Sequence, residues 1–297
     1  MSDAAVGFIG LGNMGRPMVT LLANAGMNVV VFDASESVRQ AAASDGLTVA
    51  TGTAEIAATC ETVILMLPSS DIVDSVVKTL CDEPGRLVSL IIDMSSSIPD
   101  RTVSLAKRCA GFGVAVVDAP VSGGVARAKT GDLTLMVGGA AADVERAHAF
   151  LPLLGSRIIH VGEVGAGHAV KALNNLLSAT HLLATNEAVL AARKFGVQPS
   201  VFLDVVNTSS GRSGSSELKL PNYVLPGTFN SGFSASLLEK DVRIAVDLEH
   251  ALEMEAPISE AVAARWKDLN SRLEAGADHT AIIRPMEQDL GLEVRAS

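Results

Sequence analysis

Residues Gly165–Gly196 read GAGHAVKALNNLLSATHLLATNEAVLAARKFG. Before this stretch, short β-branched runs alternate with helical runs, and after it no convincing strand occurs. The stretch itself predicts one helix over 165–195, about 45 Å long at the rise of an α-helix. Its end carries the expected stop signals: Arg193 and Lys194 in the last turn, Gly196 next, and Pro199 shortly after. One polar stripe crosses an otherwise apolar body. Lys171, Asn174, Asn175 and Ser178 lie at offsets of three, four and seven, so they share a face. A lysine set among Val170, Ala172, Leu173, Leu176 and Leu177 is costly to bury unless it faces a cleft or a partner. The alternative is a lysine that snorkels from an exposed helix.

Toward the N-terminus, the apolar run Val6–Gly10 leads into Gly10-Leu11-Gly12-Asn13-Met14-Gly15. A helical pattern follows, with Met18, Leu21, Leu22 and Ala25 on one face and Gly26 at its end. Asn28–Phe32 is a second strand, closed by Asp33. A strand, a GxGxxG turn opening a helix and an acid at the tip of the next strand together make a dinucleotide site. Gly10 permits the tight turn, Gly12 lets backbone approach a pyrophosphate, and Gly15 lets the helix pack on the strand. Asp33 accepts from the adenosine ribose hydroxyls and repels a 2′-phosphate, which favours NAD over NADP. The segment Ala34-Ser35-Glu36-Ser37 holds no arginine to receive that phosphate, and the nearest, Arg39, falls about a helical turn further on.

The alternation continues with a weak strand at Leu47–Ala50, a short helix at Thr53–Ala58 and strands at Thr62–Leu67, Leu87–Asp93 and Val114–Asp118. Ser69-Ser70-Asp71 caps a helix running to about Leu80, and Pro99 opens another. Nearly all-apolar strands suit a parallel sheet covered on both faces, whose ligands bind beyond the carboxyl ends. Leu67-Pro68 and Ser95-Ser96 occupy that edge as candidates to line the cofactor, or as ordinary loops. Asp118-Ala119-Pro120-Val121-Ser122-Gly123-Gly124 lies at the same edge. Its successive glycines make a backbone nest for a carboxylate, or a simple turn. Gly131–Gly139 reads as a strand, Ala142–Leu154 as a helix and Ser156–Val161 as a last strand, which places a domain boundary between 1–163 and 164–297.

Beyond the long helix, Val201–Asn207, Leu237–Glu253, Ser259–Ala275 and Asp278–Leu290 read as helices, and Thr208–Gly232 as an irregular segment covering a site. That segment contains Arg212, which either meets a second anionic group of the substrate or is simply solvated.

Composition sets the limits. The 297 residues suit two domains, and 48% hydrophobic content with a mean hydropathy of +0.35 argues against disorder. A net charge of -10 argues against nucleic acid or an anionic membrane as partner. The N-terminus lacks a basic region, and no apolar run reaches the ~18 residues that span a bilayer. Cys60, Cys81 and Cys109 show no CxxC spacing and read as buried reduced thiols of a cytoplasmic protein. The six histidines form no metal-binding pair, so no metal site is expected.

Four stretches, GFIGLGNMG, DAPVSGG with GDLTLMVGG, GAGHAVKALNN, and LLEKD, resemble in content and order the signatures of the β-hydroxyacid dehydrogenases, the 3-hydroxyisobutyrate dehydrogenase-like family. The resemblance spans about residues 6–290. It implies an α/β Rossmann-type dinucleotide-binding domain followed by an all-α domain, joined by the long helix. It implies reversible NAD(P)-dependent oxidation of a small β-hydroxy acid to its semialdehyde. The family's catalytic lysine falls on Lys171 with Asn175 beside it, and its carboxylate site on Ser122, Gly123 and Gly124, with Asn174 near. Its cofactor contacts fall on Gly10, Leu11, Gly12, Asn13, Met14, Gly15, Asp33, Leu67, Pro68, Ser96 and Lys240. Ser96 stands where the family often has threonine and keeps the hydroxyl. The resemblance also suggests a homodimer or homotetramer. Competing readings are a reductase of glyoxylate, succinic semialdehyde or tartronate semialdehyde, an imine reductase, and a non-catalytic dinucleotide-binding protein. Imine reductases generally lack the lysine, and non-catalytic relatives tend to lose the lysine or the Ser-Gly-Gly loop.

Overall fold

The computed structural model describes residues 5–295. The chain divides at Lys171/Ala172 into two compact units. In the first, β1 (Ala5–Ile9), α1 (Gly15–Asn24), β2 (Val29–Phe32), α2 (Glu36–Ser44) and β3 (Thr48–Val49) alternate, followed by α3 (Thr53–Thr59), β4 (Cys60–Leu65), α4 (Ser70–Asp82), β5 (Leu90–Asp93), α5 (Pro99–Ala110) and β6 (Ala115–Asp118). Then come β7 (Val121–Ser122), α6 (Gly124–Thr130), β8 (Thr134–Gly138), α7 (Ala141–Ala147), α8 (Leu151–Leu154) and β9 (Arg157–Gly162). The sheet order is β3-β2-β1-β4-β5-β6-β8-β7, with β9 on β8.

Side chains alternate across this sheet. Val6, Phe8, Val31, Ile64 and Ile92 pack with Met18 and Leu22 of α1, whereas Ile9, Val30, Val63, Leu65 and Ile91 pack with Ile56, Val73 and Leu105. Both faces are therefore covered, which is why the strands read as unbroken apolar runs. Cys60, Cys81 and Cys109 are free and buried, with the sulfurs of Cys81 and Cys109 3.8 Å apart.

Two expectations gain detail and two need correction. The strands β1 to β6 pair in parallel; β8 runs antiparallel to β6 and β7, because the chain doubles back within the short span Ala119–Leu133, and β9 then pairs with β8 in parallel. The Ser122-Gly123-Gly124 segment is the turn from strand to helix, with Ser122 ending β7 and Gly124 beginning α6. The helix expected over Ala142–Leu154 is two, α7 and α8, because Pro152 has no amide to extend a helix and instead sits at the start of α8. The segment Thr208–Gly232 is not irregular throughout. Ser215–Val224 forms a π-helical segment, whose wider turn a 3.6-residue period does not detect.

In the second unit α9 (Ala166–Phe195), which begins in the first, is followed by α10 (Pro199–Asn207), the π-helical segment, α11 (Ala235–Ala251), α12 (Pro257–Asn270), a 3-10 turn at His279–Ile282 and α13 (Ile283–Leu290). The Ser234 side chain caps α11 by accepting from Leu237 N. Trp266 of α12 is fully buried and donates its indole N–H to Ala235 O at 3.2 Å. Among the described residues no helix is long and apolar enough to cross a membrane.

Candidate active site

The glycine turn between β1 and α1 has three distinct constraints. Gly10 has φ +102°, and a Cβ there would lie 2.2 Å from Met66 O. A Cβ on Gly15 would lie 1.9 Å from Gly10 O, so the helix packs on the turn only without one. Gly12 is exposed, and a Cβ there would meet nothing within 4 Å, which leaves its backbone open to a ligand. Asp33 secures this turn from the tip of β2: its Oδ2 accepts Leu11 N at 2.8 Å and its Oδ1 accepts Ser35 N at 2.9 Å. Each carboxylate oxygen has capacity for a second bond, as a ribose hydroxyl requires. Arg39, one turn into α2, folds back to donate to Asp33 O at 2.7 Å and Ala34 O at 2.9 Å. It thereby brings a cation closer to the ribose corner than its place in the sequence implied.

Asn13 and Met14 complete the turn, Asn13 exposed and Met14 partly buried. Beyond β4, Leu67 N donates to Ser95 Oγ at 2.9 Å, which joins the β4 and β5 loops. Pro68 and Ser96 lie on those loops at the same sheet edge, Pro68 exposed and Ser96 partly buried. An open glycine turn, an acid at the second strand tip and hydroxyls at the sheet edge fit a dinucleotide.

The end of β6 does a different task. The Asp118 carboxylate is fully buried and accepts two backbone N–H groups from the start of α9, Gly165 at 2.6 Å and His168 at 2.9 Å. A carboxylate at a helix N-terminus satisfies amides that have no partner inside the helix. Gly167 makes the approach possible, since a Cβ there would lie 2.3 Å from Met136 O and 2.8 Å from the Asp118 carboxylate. Burial pushes the Asp118 carboxyl above its ordinary range, opposed by the charge of His168 and by those two amides. The His168 ring is also buried. Its Nε2 lies 3.1 Å from Ser95 O, which only accepts, so Nε2 carries the proton, and its Nδ1 lies 2.9 Å from Thr102 Oγ1. A second buried acid, Asp93, lies 3.7 Å from His168 Nε2 and accepts from Ser95 N and Ser97 Oγ.

Two of the segments singled out in the sequence therefore meet at Asp118. The chain leads from it through β7 to Ser122, which is partly buried, and to Gly123 and Gly124, with φ of +137° and +67°. Lys171 is partly buried and lies three residues beyond His168 on α9.

In the second unit, Asn175 is buried and donates Nδ2 to Asp241 Oδ2 at 2.6 Å. Asp241 is buried too, and its Oδ1 faces the Lys240 ammonium at 3.5 Å. Asn174 is exposed and donates to Asn175 Oδ1 at 3.2 Å. Ser178 accepts from Lys219 Nζ at 2.6 Å. Arg212 is exposed and pairs with Glu217 at 3.5 Å. Sequence reasoning assigned no role to Asp118, His168, Asp241 or Lys219. The first three lie inside motifs it had singled out, whereas nothing local marked Lys219.

Residues 5–162 match the family profile for the NAD-binding domain of 6-phosphogluconate dehydrogenase, and residues 165–286 match that for the NAD-binding region of NADP-dependent 3-hydroxyisobutyrate dehydrogenase. The chain belongs to the β-hydroxyacid dehydrogenase family. Its similarity to 2-(hydroxymethyl)glutarate dehydrogenase of Eubacterium barkeri is 35% identity over 97% of each chain. With mitochondrial 3-hydroxyisobutyrate dehydrogenase of Drosophila melanogaster it shares 36% identity over 85% of this chain and 80% of the relative. The fold superposes on 3-hydroxyisobutyrate dehydrogenase of Mycobacterium tuberculosis, solved with L-serine, at a TM-score of 0.87 and 31% identity, covering 95% and 99% of the two chains. As in other β-hydroxyacid dehydrogenases, the cofactor is a nicotinamide dinucleotide, and a Rossmann-type domain precedes a helical one.

Proposed function

We propose that this β-hydroxyacid dehydrogenase oxidises a small β-hydroxy acid to its semialdehyde, reversibly and with NAD, using Lys171 as general acid and base. The observation that carries the reading is Asp118, which joins the Ser122-Gly123-Gly124 segment to the helix bearing Lys171. An anion nest and a proton-transfer group are thereby built on one rigid support.

The bound dinucleotide supplies the hydride acceptor. Asp33 and the glycine turn hold its ribose and diphosphate, Leu67, Pro68 and Ser96 line it, and Lys240 contacts it from α11. The Ser122 hydroxyl and the amides of Gly123 and Gly124 hold the substrate carboxylate, with Asn174 beside them. Lys171 as a free amine takes the hydroxyl proton as hydride leaves the carbinol carbon. In the reverse direction its ammonium returns that proton to the carbonyl oxygen. Asn175, oriented by Asp241, donates to the same oxygen. A positioned general base contributes about 10²–10⁴-fold.

Lys171→Ala tests this assignment. Steady-state oxidation of 3-hydroxyisobutyrate and 2-(hydroxymethyl)glutarate with NAD is expected to fall at least about a hundredfold. NADH affinity, read from its fluorescence, stays close to that of the unaltered protein. Undiminished turnover in the variant removes the role of Lys171. The same reading makes the enzyme a cytoplasmic homodimer or homotetramer, and light scattering after size exclusion checks its assembly.

A further inference from the structure

The His168 side chain joins two parts of the first unit that lie 73 residues apart in the chain. It stands on the first turn of α9, one turn before Lys171 and about 4.5 Å from it along the helix axis. The ring is buried, as are Asp93, Ser95, Thr102 and Asp118, the groups that face it. Nε2 donates to Ser95 O at 3.1 Å. Nδ1 is then an acceptor, and the single proton of the Thr102 hydroxyl goes to it at 2.9 Å rather than to Ile98 O at 3.2 Å. Each ring nitrogen therefore bears on a different element, Nδ1 on α5 and Nε2 on the loop after β5.

That loop is braced internally. Asp93 Oδ1 accepts Ser95 N at 3.0 Å, and Asp93 Oδ2 accepts Ser97 Oγ at 2.9 Å, so the carboxylate holds both sides of Ser96. Ser95 Oγ in turn accepts Leu67 N at 2.9 Å, which carries the bracing across to the loop after β4. Asp118 ties the start of α9 to β6, whereas His168 ties it to the loops after β4 and β5.

We propose that His168 is a positioning residue for the transfer step: its Nε2–H on Ser95 O holds the loops carrying Leu67 and Ser96 in register with Lys171. This rests on the reading of Lys171 as the proton-transfer group and of Leu67 and Ser96 as cofactor contacts. Hydride and proton leave the same substrate, so the nicotinamide and the amine must be placed together. A misplacement of about 1 Å can cost about a hundredfold in rate. His168 acts through Ser95 on one side and through its own helix on the other.

The two ring nitrogens can be replaced separately. His168→Gln has its amide NH2 as many bonds from Cα as Nε2, and keeps a donor for Ser95 O. His168→Asn has its amide oxygen at the place of Nδ1, keeps an acceptor for Thr102 and removes the donor to Ser95 O. For both variants, kcat and KM with 3-hydroxyisobutyrate and NAD, NADH affinity by fluorescence and melting temperature are measured. His168→Gln is expected to stay within about threefold of the unaltered protein in kcat and NADH affinity. His168→Asn is expected to lose about tenfold or more in kcat and about threefold or more in NADH affinity, with KM for the hydroxy acid little changed and a melting temperature close to that of His168→Gln. Equal kcat and equal NADH affinity in the two variants, whether high or low, overturn the proposal. Losses that disappear when both variants are assayed far below their melting temperatures also overturn it, since they report stability alone. If the hydroxy acid is not turned over, NADH affinity decides, and equal values overturn the proposal. Failure of the general-base reading shows separately, as retained turnover in Lys171→Ala.

Discussion

The carboxylate of Asp118 accepts the backbone amide of His168 at 2.9 Å, across 50 residues of chain. With the matching bond to Gly165, it fixes the direction in which α9 leaves the sheet, and therefore where Lys171 sits one turn later.

Asp118→Ala removes both acceptors and leaves two buried amides without partners. Stability is expected to fall by about 2–4 kcal/mol, measured by urea denaturation. Asp118→Asn keeps an acceptor oxygen of the same size and is expected to lose less stability. It should still lower kcat about tenfold, because one of the two amides then faces an NH2 group and the helix start shifts.

Asp33 both secures the glycine turn and carries the charge that opposes a 2′-phosphate. Asp33→Asn keeps an oxygen for Leu11 N and removes the charge while Arg39 stays beside it. The ratio of kcat/KM for NAD to that for NADP is expected to fall by about 10–100-fold, through KM for NADP. An unchanged ratio would place cofactor choice elsewhere.

Asp241 orients Asn175 through a 2.6 Å bond between buried groups. Asp241→Ala frees the Asn175 amide and is expected to cost about 30-fold in kcat, measured at saturating NAD. Asp241→Asn, which retains an acceptor oxygen, should recover part of the loss.

His279 is buried and its pKa is lowered to about 4, chiefly by burial and next by the Lys219 charge. The unfolded chain therefore binds a proton below about pH 6.5 that the folded chain refuses. The stabilisation is complete above that pH and is lost as pH falls toward 4, by about 3 kcal/mol at most. Urea denaturation at pH 7 and pH 4.5 should show this loss, and His279→Gln should reduce it.

Much of the nucleotide unit was legible because its signals are local. Gly10, Gly12, Gly15 and Asp33 are positioned by a strand, a turn and a helix adjacent in the chain, and apolar runs mark strands covered on both faces. The antiparallel placing of β8 was not legible, since nothing between Ala119 and Leu133 encodes which edge the returning strand joins. Nor was the π-helical segment, whose period escapes a search for amphipathic α-helices and which contains Pro221.

By itself the sequence determined the αβ alternation, the dinucleotide turn, the helix bearing Lys171 and the set of residue types available for proton transfer and anion binding. The tertiary structure alone decided which partners those residues have. Gly165 meets Asp118 across 47 positions, Lys219 meets Ser178 across 41 and Asn175 meets Asp241 across 66. Such pairings depend on how packed elements bring distant chain together, and the periodicities by which side chains advertise helix or strand contain no information about them.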